Sequence, residues 1–170
     1  MNLQGMGANI GGMGDGCVDN ITFRNITLDH PSLAGIEIKT EHGADNNSFI
    51  RNVLYEDIVF KDSMNSSCCP CVSITAQYGG PGAYPGQFLP RISNITYRNI
   101  DQRGCDTAVR LQCDEGYRCK NVTFDGVETS EDTPPFVVNN ADCTAGGVTG
   151  SGVATGCAPD FHRFLDLSQM

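Results

Sequence analysis

Acidic side chains beside a glycine-rich stretch are the first residues that suggest chemistry. Asp15 lies within Gly14-Asp15-Gly16, and Asp19 follows closely. Carboxyl groups can donate or accept a proton when they are positioned beside a reacting bond. An aspartate between two glycines is also typical of a tight turn, in which the carboxylate bonds to the backbone. We therefore interpret Asp15 as a turn residue and predict no catalytic acid here.

The cysteines allow either metal binding or disulfide bonds. The cluster Cys68-Cys69-Pro70-Cys71 would bind a metal with His42 or His30 as a further ligand, but structural zinc usually needs paired C-x-x-C elements. Many cysteines together with N-x-S/T sequons instead favour a disulfide-bonded glycoprotein from an oxidising, extracellular compartment. We predict no metal and no other cofactor. The cysteines are Cys17, Cys68, Cys69, Cys71, Cys105, Cys113, Cys119, Cys143 and Cys157. The sequons start at Asn20, Asn25, Asn46, Asn65, Asn94 and Asn121.

Spacing leaves the disulfide pairing open. Cys113 bonds with either Cys119 or Cys105 to close one loop, and Cys143 bonds with Cys157 to close the glycine-rich tail. The odd ninth cysteine suggests a partner outside this sequence. The first residues also lack the basic and apolar regions of a signal peptide, so we expect the chain to be a fragment.

The charge balance excludes nucleic acid as a partner. The net charge is −9, and only 11 residues are Lys or Arg, whereas a backbone binder needs a concentrated basic face. No run of apolar residues is long enough to span a bilayer, so we expect no membrane partner. A site for a polyanion would have to be local. Its candidate cations are Lys39, Arg91, Arg98, Arg103 and Arg110.

One phrase recurs along the chain and indicates its architecture. Copies such as N-I-T-F-R-N-I and N-I-T-Y-R-N-I begin at Asn20, Asn52, Asn94 and Asn121. In each copy apolar residues alternate with polar ones, and an Asn, Asp or Gly then marks a corner, which predicts strand, bend and strand. A second short alternating run follows each copy. These runs are residues 35–39, 72–75, 108–111 and 136–138.

Repeats of unequal length that each hold two or three strands predict a solenoid, with loops of different length on one face. We expect apolar side chains to stack from coil to coil and the recurrent Asn to form a side-chain ladder at the corner. A Greek-key sandwich is the competing fold. The helical signal is weak, and only residues 159–167 could form a short helix. Residues 79–86 read as a long loop.

The segment Gly5-Met6-Gly7-Ala8-Asn9-Ile10-Gly11-Gly12-Met13-Gly14, followed by the first repeat and by Ile36-Glu37-Ile38-Lys39-Thr40, resembles the second half of the polygalacturonases in glycoside hydrolase family 28. That family has G-H-G-x-S-I-G-S-x-G before a coil that ends in R-I-K-T. The later phrases N-V-L-Y-E-D-I and I-T-A-Q-Y are also similar to family elements. The resemblance covers residues 5–127. It implies an all-β, single-stranded, right-handed parallel β-helix of which residues 1–170 are the C-terminal part, with residues 128–170 an irregular disulfide-rich tail.

The resemblance also implies site residues. Family members hydrolyse with inversion of configuration at the anomeric carbon, using aspartates on N-T-D and D-D motifs. Neither motif occurs here, so we predict no catalytic residue in this chain. Met6 replaces the motif His and cannot shuttle a proton. Glu37 replaces the motif Arg and would repel a galacturonate carboxylate. Lys39 and Tyr78 are retained and are the expected substrate-binding residues.

Three functional hypotheses follow from the resemblance. The first is a polygalacturonase-like glycosidase fragment, inactive by itself, whose parent is a monomer that hydrolyses α-1,4-galacturonosyl linkages of pectin. Its partner would be an acidic or substituted cell-wall polysaccharide outside the cell. The second is a non-catalytic β-helix that binds polysaccharide or protein. The third is a nonfunctional remnant.

Overall fold

The computed structural model describes residues 2–5, 7–31, 35–61, 70–76, 88–103, 105, 109–130, 136–146, 148 and 157–159. Every regular element in these ranges is a β-strand. The strands are β1 (Asn2–Gly5), β2 (Ala8–Met13), β3 (Cys17–Pro31), β4 (Ile36–Thr40), β5 (Phe49–Lys61), β6 (Val72–Thr75), β7 (Arg91–Asp101), β8 (Val109–Gln112), β9 (Cys119–Glu128), β10 (Val137–Asn139), β11 (Ala141–Gly146) and β12 (Ala158–Pro159). The described residues contain no helix that is long and apolar enough to cross a membrane.

The strands form two sheets that wind into a parallel β-helix. A seven-stranded sheet has the order β1-β3-β5-β7-β9-β11-β12, and a five-stranded sheet has the order β10-β8-β6-β4-β2. All strand pairs within both sheets are parallel. Each coil consists of one short strand of the five-stranded sheet and the long strand that follows it. This topology confirms the predicted solenoid and excludes the antiparallel Greek-key sandwich.

Two corners bend each long strand, because an asparagine, aspartate or glycine there takes a positive φ. Asn94 and Asn99 of β7, for example, have φ values of 55° and 51°. Asparagine tolerates this left-handed conformation better than most residues. The equivalent pairs are Asn20 and Asn25, Asn52 and Asp57, and Asn121 and Gly126. The corner residues recur because the backbone needs them at each turn of the solenoid.

The predicted asparagine ladder runs along the first corner. The Asn121 side-chain amide donates to Asn94 Oδ1 at 2.9 Å, and the Asn94 amide donates to Asn52 Oδ1 at 3.0 Å. The Asn52 amide then donates to Asp19 Oδ1 at 2.7 Å. The ladder joins the four long coils on the outside of the molecule.

Inside the coils, equivalent side chains stack in columns. Phe23, Tyr55, Tyr97 and Phe124 stack with nearly parallel rings, and successive ring centroids lie 4.8, 5.2 and 5.1 Å apart. The aligned aliphatic residues Ile58, Ile100 and Val127 are buried in a neighbouring column. This continuous core spans all the long coils and fixes their register.

Among the described residues, three disulfides tie coils or loops together. Cys113 bonds to Cys119, which is one of the two alternatives left open by the sequence, and Cys143 bonds to Cys157 as proposed. Cys71 bonds to Cys105, a pairing that the spacing did not suggest. Cys17 is the free cysteine among the described residues.

The described residues after 128 include further strands, where an irregular tail was expected. β10 pairs with β8 and β11 pairs with β9, so both sheets gain a further coil. β10 overlaps the alternating run expected at residues 136–138, whereas no such run was expected at β11. β12 adds a last short pairing with β11. Of the helix expected at 159–167, Pro159 belongs to β12 and the remaining residues lie outside the described ranges.

Candidate functional site

The outer face of the five-stranded sheet brings together two of the residues singled out in the sequence. Along β4, Ile36, Ile38 and Thr40 are fully buried, so Glu37 and Lys39 point outward. This alternation is the period-2 pattern of a strand with one face in the core. Glu37 and Lys39 are each half-buried.

Register extends this face across all five strands in two rows. The first row contains Asn9, Glu37, Ser73, Arg110 and Val137. The second row contains Lys39, Thr75, Gln112 and Asn139. We call these nine residues the outer face. Neighbouring strands of a parallel sheet lie about 4.8 Å apart, so each row is a line of side chains at that interval.

Glu37 is held by its neighbours on the outer face. The side-chain oxygen of Asn9 accepts a hydrogen bond from the Glu37 amide at 2.9 Å. The Thr75 hydroxyl donates to Glu37 Oε1 at 3.4 Å. Thr75 follows Lys39 in the second row, so these contacts link the two rows. Sequence reasoning missed Asn9 and Thr75, because only the register reveals that they flank Glu37.

Asp15 has the turn role proposed for it. Its Oδ1 accepts hydrogen bonds from the Ser48 hydroxyl at 2.6 Å and from the Gly16 and Asp45 amides at 2.8 and 3.3 Å. These bonds, chiefly the one from Ser48, hold the pKa of the Asp15 carboxyl below its usual value. A carboxylate in this state accepts hydrogen bonds from two adjacent turns and is a poor proton donor near neutral pH.

Asp19 is likewise occupied by its neighbours. Arg51 donates to Asp19 Oδ2 through two nitrogens, at 2.8 and 2.6 Å, and Asn52 donates to Oδ1. The Arg51 bond is the main reason that the pKa of Asp19 is lowered. Asp19 therefore begins the corner ladder and forms an ion pair on the seven-stranded sheet, away from the outer face.

The candidate cations divide between the two sheets. Arg98 pairs with Glu56 and Asp125, and Arg103 pairs with Asp101 and Glu128. Those carboxylates neutralise Arg98 on β7 and Arg103, which lies in the turn after β7. Arg91, also on that sheet, donates to the Asn46 side chain at 2.9 Å. Lys39 and Arg110 are the two candidates that lie on the outer face.

Several predicted positions lie outside the described residues. They include Met6, Tyr78, Cys68 and Cys69. Cys71 is bonded to Cys105 and is therefore not available as a metal ligand. Within the described ranges, no group of three or more His, Cys, Asp or Glu side chains is arranged to hold a metal ion.

Comparisons with known proteins place the chain among glycoside hydrolases. The family model for glycosyl hydrolases family 28 matches residues 2–149. A probable rhamnogalacturonase C of Aspergillus flavus is 25% identical over 139 residues, which are 74% of this chain and 26% of the relative. A probable endopolygalacturonase B of Aspergillus kawachii is 28% identical over 123 residues, 71% of this chain and 32% of the relative.

The match is to part of those relatives only. The chain spans about a quarter to a third of their length, 26% and 32%. No solved structure matches the chain. The family match covers most of this sequence. The parallel coils of the structure agree with the family resemblance of the glycine-rich and I-E-I-K-T segments. The chain belongs to the family 28 glycoside hydrolases.

Proposed function

We propose that this chain forms part of the sugar-binding groove of a glycoside hydrolase that acts on pectin-type polysaccharide. In the parent protein the reaction would be hydrolysis of α-1,4-galacturonosyl or related linkages. The observation that carries the proposal is the position of Glu37 and Lys39. They occupy the I-E-I-K-T strand that resembles the family's R-I-K-T element, and both face outward on one sheet.

An extended outer face suits an extended polymer. The two rows of outward side chains run across five strands and include amide, hydroxyl and charged groups. Such groups can hydrogen-bond the hydroxyls and carboxylates of successive sugars. Lys39 supplies a positive charge for a sugar carboxylate, and we assign Tyr78, which follows β6 in sequence, to the same groove.

We further propose that the chain binds but does not hydrolyse its polymer. Inverting hydrolysis needs a carboxylic acid and a second carboxylate about 6.5–9.5 Å apart. Among the described strands of the five-stranded sheet, Glu37 is the only acidic side chain on the outer face. Asp15 and Asp19 are engaged elsewhere. The reacting carboxylates would belong to other coils of a longer parent chain.

Glu37 shifts the expected substrate away from plain polygalacturonate. A carboxylate here repels a uronate carboxylate where an arginine would bind it. A substituted polymer, or one in which neutral sugars alternate with acidic ones, fits better. One relative is named a probable rhamnogalacturonase, which agrees with this proposal. The disulfides and sequons support the further proposal of a secreted, extracellular glycoprotein. We also propose that the complete protein is a monomer.

The test is to compare binding and hydrolysis for the same purified chain. The chain is incubated with polygalacturonate, methyl-esterified pectin and rhamnogalacturonan, and new reducing ends and binding in affinity gels are measured. We expect binding without new reducing ends, and weaker binding for Lys39→Met. Lys120→Met is the matched control, because Lys120 is exposed on the seven-stranded sheet. Reducing ends above background would refute inactivity, and absence of binding to all three polymers would refute the polysaccharide partner.

A further inference from the structure

Arg110 occupies a distinct position on the outer face. It points outward from β8, between the buried core residues Val109 and Leu111, and is half-buried. In its row Ser73 lies on one side and Val137 on the other. Ser73 is buried, whereas 42% of Val137 is exposed. Neither neighbour is a carboxylate that could neutralise the guanidinium.

The other described arginines all have acceptors. Arg24 and Arg98 pair with Glu56, and Arg103 pairs with Asp101. Arg51 and Arg118 pair with aspartates, and Arg91 donates to Asn46. Among the described residues, the Arg110 side chain has no hydrogen-bond acceptor and no ion-pair partner. A guanidinium that is partly removed from water without an acceptor is unfavourable unless an external anion supplies one.

We propose that Arg110 is a carboxylate-binding subsite for an acidic sugar held on the outer face. This inference rests on the proposed polysaccharide function and names the residue that selects an acidic ligand. The planar guanidinium donates two parallel hydrogen bonds to one carboxylate, a geometry that lysine does not provide. The exposed side chain of Val137 lies beside it as an apolar surface for the C–H face of the sugar ring.

The distance from Glu37 makes this subsite compatible with an acidic residue in the groove. Arg110 and Glu37 share a row but are separated by the strand that carries Ser73. Two strand intervals correspond to about 10 Å. This separation is close to the Debye length at physiological salt, so repulsion by Glu37 is largely screened at Arg110. The groove would then disfavour a carboxylate beside Glu37 and accept one at Arg110.

Arg110→Gln tests the subsite in the whole chain. Calorimetric titration with a short oligogalacturonate and with its fully methyl-esterified form separates charge from sugar contacts. We expect the substitution to weaken binding of the acidic form about tenfold, equivalent to 1.4 kcal/mol, and to leave the ester unaffected. Arg110→Lys should restore part of the loss, because it keeps the charge without the fork. Arg118→Gln, which removes an exposed pair with Asp142, is the control.

The possible outcomes separate the two proposals. If wild-type chain binds the acidic form and Arg110→Gln binds it equally well, the subsite is wrong and the polysaccharide function stands. If wild-type chain does not prefer the acidic form over the ester, the subsite is also wrong. If wild-type chain binds neither these oligosaccharides nor the three polymers, both proposals fail. Thermal unfolding of each variant verifies that it is folded.

Discussion

Tyr55 and Tyr97 stack in the core with their ring centroids 5.2 Å apart, and both phenol hydroxyls are buried with no hydrogen-bond partner among the described residues. They are the middle members of a column whose outer members, Phe23 and Phe124, lack a hydroxyl. Ring packing by the two tyrosines therefore stabilises the stack, whereas burial of their two hydroxyls destabilises it. Stability of the long coils depends on this balance.

Tyr97→Phe should stabilise the protein. The change keeps the stacked ring and removes a hydroxyl that has lost its water, so we expect the free energy of unfolding to rise by about 1 kcal/mol. Urea denaturation measures it. Tyr117→Phe, at a half-exposed tyrosine, should have little effect. A loss of stability in Tyr97→Phe would mean that the hydroxyl is hydrogen-bonded in solution.

The same two phenols should make the fold sensitive to alkali. Burial raises the pKa of both Tyr55 and Tyr97 above its ordinary value. In the folded chain each phenol keeps its proton at pH values at which the unfolded chain has lost it. The stability of the fold is therefore unaffected by these phenols below about pH 10, the pKa of a tyrosine in the unfolded chain, and it declines as the pH rises further. Tyrosinate absorbance at 295 nm should show these two ionising only as the fold is lost, and ionisation in the folded state would contradict their burial.

Gly35→Ala should be strongly destabilising. A Cβ at this position would lie 2.5 Å from the Cys71 carbonyl oxygen and 2.7 Å from Phe60 Cζ. Backbone and a core ring must move to admit it, so we expect a loss of about 2 kcal/mol or more. Gly11→Ala is the matched control, because a Cβ added at Gly11 would have no other described atom within 4 Å. Equal stability of the two variants, by thermal or urea unfolding, would show that the coils are less closely packed.

The disulfide that the sequence did not suggest should contribute most to stability. Cys71 and Cys105 are separated by 34 residues, whereas Cys113 and Cys119 are separated by 6. From the entropy of loop closure we expect replacement by alanine to cost roughly 4 kcal/mol for the first pair and roughly 2 for the second. All four cysteines are buried, so the double variants are well matched. The reverse order in urea unfolding would contradict the loop-length argument.

Glu37→Gln should favour acidic ligands. Removing the Glu37 charge removes its repulsion of ligand carboxylates bound beside β4, which in water is worth a fraction of a kcal/mol, so we expect affinity for oligogalacturonate to rise about twofold to threefold at low salt. The gain should disappear at high salt. Glu115→Gln, at an exposed position outside the outer face, provides the control. An unchanged affinity would place the ligand carboxylates away from β4.

The sequence predicted the parts of the structure that repeat. Alternating residues identified the strands, and the recurrent asparagine identified the corners and their ladder. The asparagine recurs because each coil needs a residue that tolerates a positive φ at the same corner. The run at residues 136–138 anticipated β10, whereas β11 was not predicted, because Ala141–Gly146 lacks the recurrent phrase. The Cys71 to Cys105 bond joins segments whose proximity follows only from coil stacking.

The candidate site was predictable only one strand at a time. The motif resemblance singled out Glu37 and Lys39, and the alternation of β4 was enough to turn both outward. Asn9, Thr75 and Arg110 lie far from β4 in sequence and join it through register. Arg110 was one of several candidate cations, and only the ion pairs of Arg98 and Arg103 distinguished it from them.

The unbroken pairing of β4 with β6 and of β6 with β8 has an evolutionary consequence. Connections between these strands differ in length, yet the outward positions stay aligned. A charge can therefore be lost from one strand and acquired on another by single substitutions, with no change to the backbone. Specificity in such a groove can move along the solenoid axis as the family diverges, and a lost motif residue does not by itself mean a lost ligand.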